Sequence, residues 1–114
     1  PYPHMINHIM KDFKIDNPYE VIKLDDTIIG IKEGKMASTW TAGIARWSTN
    51  MKIKTKDEFN DLSLFEQDKR LNESREILKS SESNYVLDTL DELPEIIQRL
   101  DFGLSFGDAS RVIV

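Results

Sequence analysis

Adjacent carboxylates are the arrangement in this sequence most able to do chemistry, and there are three such pairs: Asp25-Asp26, Asp57-Glu58 and Asp91-Glu92. Two neighbouring acids can hold different protonation states and act as general acid and general base. Each pair, however, stands at a predicted turn or helix start. An acid is favoured there for local reasons, because it accepts bonds from turn amides or faces the free N–H groups of a first helical turn. Catalysis is therefore the weaker account of all three, and no catalytic residue is assigned.

Other chemistries are thinner still. The chain has no cysteine and two histidines, His4 and His8. That removes a thiolate nucleophile and a zinc-thiolate site, and His8 alone makes no metal constellation, so neither a metal nor a cofactor is expected. "GIKEGK" has three residues between Gly30 and Gly34 where a phosphate loop needs four, and Met36 stands where a hydroxyl should bind magnesium; it reads as a hairpin turn. "DFG" at Asp101 to Gly103 lacks every other kinase motif. "FGLSFGDAS" reads as a connection to a final strand more readily than as a binding loop.

Two surfaces then compete for a binding role. Lys52, Lys54 and Lys56 alternate, which on a strand would align three ammonium groups near Arg46 and either Trp40 or Trp47. Cations for phosphates and flat rings for bases are what single-stranded nucleic-acid readers use. Lysines also protect exposed sheet edges, and tryptophan is often core. The second surface is acidic: Glu66, Asp68, Glu73 and Glu76 occupy much of one side of a predicted helix. Such a face could mate with a basic protein surface, or simply keep the helix soluble with pairs such as Glu66 and Arg70.

Charge distribution favours the acidic face. The net charge is −5, but residues 1–56 hold nine Lys/Arg against six Asp/Glu and residues 57–114 hold six against fourteen. Fields divided in this way steer encounters with partners. The leading expectation is a non-enzymatic protein-binding module, a small inhibitor, immunity or regulatory protein; single-stranded nucleic-acid binding is the alternative. A protein partner is expected, a homodimer is open, and a membrane partner is excluded. The lysine-, isoleucine- and asparagine-leaning composition resembles that encoded by AT-rich bacterial or phage genomes.

The elements that must carry these surfaces follow from periodicity. The 114 residues, 39% of them hydrophobic, suit one domain with a modest core. No apolar run reaches the roughly 18 residues of a membrane span and no signal peptide is evident, so a cytoplasmic protein is expected. Residues 1–4 read as a cloning remnant before a natural start at Met5, leaving residues 5–114 as the domain. Met5, Ile6, Ile9, Met10 and Phe13 line one side of a short N-terminal helix ended by Asn17-Pro18. "YEVIKL" and the β-branched "TIIGIK" read as strands separated by Asp25-Asp26, with Glu33-Gly34 as the next turn.

"ASTWTAGIARWS" and "MKIKTK" continue that meander, with the two tryptophans on opposite faces unless Gly43 marks a bulge. After Lys56 the period becomes helical. Thr55–Glu58 and Ser63–Glu66 fit capping boxes, and helices are predicted over Leu64 to Lys79 and Leu90 to Phe102, with "YVL" and "RVIV" as short strands. The predicted fold class is α+β: a small antiparallel sheet of three to five strands packed against two main helices, with a short N-terminal helix.

Overall fold

The protein, represented by a computed structural model, is described over residues 2–103 and 112–113. Its centre is a parallel four-stranded sheet of order β3-β2-β1-β4, formed by β1 (Val21–Asp25), β2 (Trp40–Ile44), β3 (Tyr85–Leu87) and β4 (Val112–Ile113). Among the described residues five helices accompany it: α1 (His4–Asp12), α2 (Ile28–Met36), α3 (Lys56–Asn60), α4 (Leu64–Ser80) and α5 (Leu93–Gly103). This is a parallel α/β arrangement and overturns the expected antiparallel meander.

The error turns on one segment. "TIIGIKEG" has the β-branched residues of a strand and the glycines of a turn, yet it forms α2. Thr27 caps the helix by accepting from the Gly30 N–H at 3.0 Å. Gly30 and Gly34 lie four apart and so share a helix face, and that face lies hard against the sheet: a Cβ on Gly34 would stand 2.7 Å from Thr41 Cγ2 and 2.8 Å from Lys23 Cβ. Tertiary packing has overridden propensity. With a helix between β1 and β2 the two strands run parallel, because the crossover returns the chain to the same end of the sheet.

Parallel sheets need cover on both faces. Ile22, Ala42 and Leu87 pack with Ile96 of α5 on one face. On the other, Ile31 of α2 joins Ala45, Met51, Phe59, Leu71 and Leu78, while Val21 meets Ile6 and Met10 of α1. Gly43 is no bulge: it stays in register with Asp25 and Val86, and its missing side chain lets Leu78 approach, since a Cβ there would lie 3.2 Å from that residue's Cβ.

The remaining expectations divide. Helices stand where the periodicities over residues 5–13, 64–79 and 90–102 place them, with α5 preceded by a short 3-10 turn at Leu90–Glu92. Ser63 caps α4 by accepting from the Glu66 N–H at 3.1 Å. "MKIKTK" is not a strand: it leaves a 3-10 turn at Thr49–Met51 and enters α3 at Lys56, so the lysines form no ladder. Most of "FGLSFGDAS" lies outside the described residues. No helix among the described residues is long and apolar enough to cross a membrane.

Candidate functional site at the carboxyl edge of the sheet

In open parallel sheets, ligands bind outside the carboxyl ends of the strands, where side chains from several loops converge. Three segments meet there: Asp25-Asp26-Thr27 after β1, residues 45–50 after β2, and Asp88-Thr89 after β3. The last two are stitched together, Ala45 N–H donating to Leu87 O at 2.8 Å and Arg46 N–H to Asp88 O at 3.0 Å.

The two adjacent aspartates have different surroundings. Asp25 is structural: its carboxylate accepts from Thr27 N–H at 2.8 Å, Thr27 Oγ1 at 2.7 Å and Lys23 Nζ at 3.1 Å. Burial pushes its pKa up, but the Thr27 and Lys23 bonds to the ionised form outweigh this and leave it below the ordinary 3.8. Asp26 is held by its backbone, its carbonyl accepting from Ser48 Oγ at 2.7 Å and Asn50 Nδ2 at 3.4 Å. Among the described residues its half-buried carboxylate has no hydrogen bond or ion pair. A fixed backbone carrying an uncommitted acid leaves that acid able to take a proton or contribute one oxygen to a cation. No group of three His, Cys, Asp or Glu side chains that could hold a metal exists among the described residues.

The third strand ends on a bonded acid. Asp88 receives both arms of Arg75, at 2.7 and 2.6 Å, and this hydrogen bonding lowers its pKa against the opposing effect of burial. Both depressed carboxyls set the sign of an acid response. The stability they contribute is present above their unfolded value and is lost as pH falls through the folded one. The urea midpoint should therefore fall between pH 5 and about pH 3, and fall less over that interval in Asp25→Asn, which no longer titrates there.

The aromatic and basic residues are only partly gathered. Trp47, 42% exposed and left-handed at φ 67°, packs edge-on to Phe59 at 5.0 Å with Lys56 Nζ 5.4 Å and Arg46 Cζ 5.9 Å from its ring. With Lys54 and Lys56 it lines a cleft of about 130 Å³. Lys52 is exposed, and Trp40 lies at the opposite end of β2, its Nε1 donating to Tyr19 O at 3.1 Å. Arg46 Nε is buried without a partner among the described residues.

On α4, Glu66 is tied to Arg70 at 3.0 Å and Glu76 to Lys79 at 3.4 Å; Asp68 is exposed and Glu73 half-buried. Arg70 also donates to the carbonyls of Met51 and Lys52 at 3.1 Å each. Glu66 thus helps anchor the loop after β2 through Arg70. His8 meets Asp12 at 3.2 Å on the exposed side of α1.

No protein-family model matches the chain. It is 36% identical over 101 residues to phosphonoacetaldehyde hydrolase of Parabacteroides distasonis, a match covering 89% of this chain and 38% of that protein. The same enzyme of Latilactobacillus sakei is 35% identical over 99 residues, covering 87% and 37%. The crystal structure of a phosphonoacetaldehyde hydrolase-like protein from Oleispira antarctica superposes with TM-score 0.82 at 26% identity, over 96% of this chain and 39% of that one. The chain thus spans about two fifths of the length of the curated relatives it matches. These likenesses overturn the expected non-enzymatic inhibitor, immunity or regulatory module, and with it the nucleic-acid alternative: the sequences this chain resembles are those of hydrolases. The expectation rested on the want of a catalytic constellation in these 114 residues and on the division of charge, and neither of these distinguishes a binding module from part of an enzyme.

Proposed function

We propose that this chain is a portion of a hydrolase acting on phosphonoacetaldehyde or a close phosphonate analogue, and that it contributes the Asp26 corner to a site completed by other residues. The observation that carries this reading is the 36% identity to a phosphonoacetaldehyde hydrolase over 101 of the 114 residues. Asp26 supports it, because hydrolysis requires groups that move protons or steady charge, and this carboxylate is committed to neither fold nor ion pair among the described residues. A cytoplasmic place of action, expected because no apolar run reaches membrane length and no signal peptide is evident, belongs to the same reading.

The test is a chimera in which this chain replaces the matched 38% of the Parabacteroides distasonis protein. Release of inorganic phosphate and acetaldehyde from phosphonoacetaldehyde, well above the uncatalysed rate, is the expected result. A chimera that is folded by circular dichroism yet inactive would remove the hydrolase assignment.

A further inference from the structure

Among the described residues five other than glycine have positive φ, and four of them close helical segments: Lys14 follows α1, Ser38 follows α2, Lys52 ends the 3-10 turn at Thr49–Met51 and Glu82 follows α4. A left-handed residue is an ordinary way to end a helix. Trp47 is the fifth, and it follows a strand, lying between β2 and that 3-10 turn. A bulky side chain in this conformation is costly, and residues held so gather at functional sites and ligand clamps. Glycine would carry the same backbone without the cost. What tryptophan adds is its ring, set edge-on against Phe59 while the backbone N–H donates to Met51 Sδ at 3.2 Å.

That ring walls the cleft of about 130 Å³, together with apolar Met51 and Ile53 and the exposed Lys54 and Lys56. Positive charge here is in surplus. Neither lysine forms an ion pair among the described residues, and nor does Arg46 beside the ring. Asp88, next to Arg46, already takes both arms of Arg75, and Glu58 Oε2 accepts from the Lys54 backbone N–H at 3.2 Å. The buried Arg46 Nε is a donor of a charged group with no acceptor among the described residues, a costly state. Volume narrows the ligand, since pockets for drug-sized molecules start at roughly 300 Å³. Ser48 joins the cleft to the Asp26 corner, because it lines the one and donates to the backbone carbonyl of the other at 2.7 Å.

We infer that this cleft is a subsite for a small tetrahedral phosphorus oxyanion, held by Lys54 and Lys56 with Arg46 close by and with the Trp47 ring as its wall. A cleft lined by one sign of charge concentrates the opposite ion, here beside Asp26. The identity of the anion rests on the hydrolase reading, in which the substrate carries a phosphonate and the product is inorganic phosphate.

Trp40→Phe leaves Trp47 as the single tryptophan, so its emission reports on the cleft. In that background inorganic phosphate and methylphosphonate should each change the emission saturably, and sodium chloride of equal ionic strength should not. Lys54→Gln and Lys56→Gln should each raise the midpoint about 3-fold and together roughly tenfold, with Tm unchanged within about 2 °C. Lys32→Gln removes the same charge from an exposed position on α2, outside this cleft, and should leave the midpoint where it was. Broadening of the phosphorus NMR line of either ion by the unsubstituted chain, relieved in the Lys54→Gln, Lys56→Gln double variant, reads the same binding without the Trp40 change. Saturation by both ions assigns the subsite to the phosphorus oxyanion as such; saturation by one alone assigns it to substrate or to product. Absence of saturable binding would overturn the subsite. So would an equal loss in Lys32→Gln, because overall charge and not the cleft would then gather the ion. Binding by the isolated chain beside an inactive chimera would retain the subsite and refute the hydrolase reading, and an active chimera without such binding would do the reverse.

Discussion

Asp26→Asn in the active chimera is expected to lower phosphonoacetaldehyde hydrolysis at least 100-fold, about 2.7 kcal/mol of barrier, while leaving Tm within about 2 °C. The separation of the two effects follows from how the residue is held. Its carbonyl is fixed by Ser48 and Asn50, bonds that an amide side chain does not touch. Its carboxylate has no partner among the described residues, so the isosteric amide removes no recorded contact from the fold. What is lost is the charge and the capacity to accept a proton, an effect of about 10²- to 10⁴-fold for a group engaged in proton transfer. Asp25→Asn provides the contrast. It weakens the bonds from Thr27 and Lys23 and should register first in stability. An Asp26→Asn chimera retaining more than half the parental rate would remove Asp26 from the site.

The elements whose burial is one-sided were legible before any coordinates. Leu93, Ile96 and Ile97 repeat with helical spacing, and Ile96 is indeed the buried contact of α5 with the sheet. The Ser63 and Thr55 caps were legible for the same reason, since a cap is a local bond between residues three apart. Strand direction was not. Nothing between Val21 and Trp40 distinguishes a hairpin from a crossover except whether "TIIGIKEG" is extended or helical, and its glycines suit either a turn or a helix pressed on a sheet. That single ambiguity reversed the sheet. The lysine spacing failed similarly: alternation places side chains on one face only if the segment is a strand, whereas Lys52 closes a 3-10 turn in the left-handed region.

The site was partly visible. Arg46, Trp47, Lys54 and Lys56 do come together, but through the loop after β2 and α3, with Trp40 left at the far end of the strand. Asp26 was hidden by Asp25. Sequence gives the two the same neighbours, and only the fold shows one carboxylate consumed by Thr27 and Lys23 and the other released. The available signal was the threonine: an acid pair closing an apolar run and followed at once by an N-cap residue marks a strand-to-helix corner.

Gly30→Ala should destabilise the isolated chain by about 2 kcal/mol, a fall in Tm on the order of 8 °C, although alanine is the better helix former by about 1 kcal/mol. The cause is Asp25. A Cβ on Gly30 would lie 1.9 Å from Asp25 Cγ and Oδ2 and 2.5 Å from Oδ1, so the carboxylate cannot stay where Thr27 and Lys23 hold it. Displacing it forfeits bonds to a charged group, each worth roughly 1.5–3 kcal/mol, in part recovered by solvation and by helix propensity. The same reasoning reverses the sign once the carboxylate is gone. In an Asp25→Ala background, Gly30→Ala should be neutral or stabilising by up to about 1 kcal/mol, because only the helix propensity remains. Urea denaturation of the four proteins measures the coupling between the two positions. An identical cost of Gly30→Ala in both backgrounds would show that the glycine makes room for something other than Asp25.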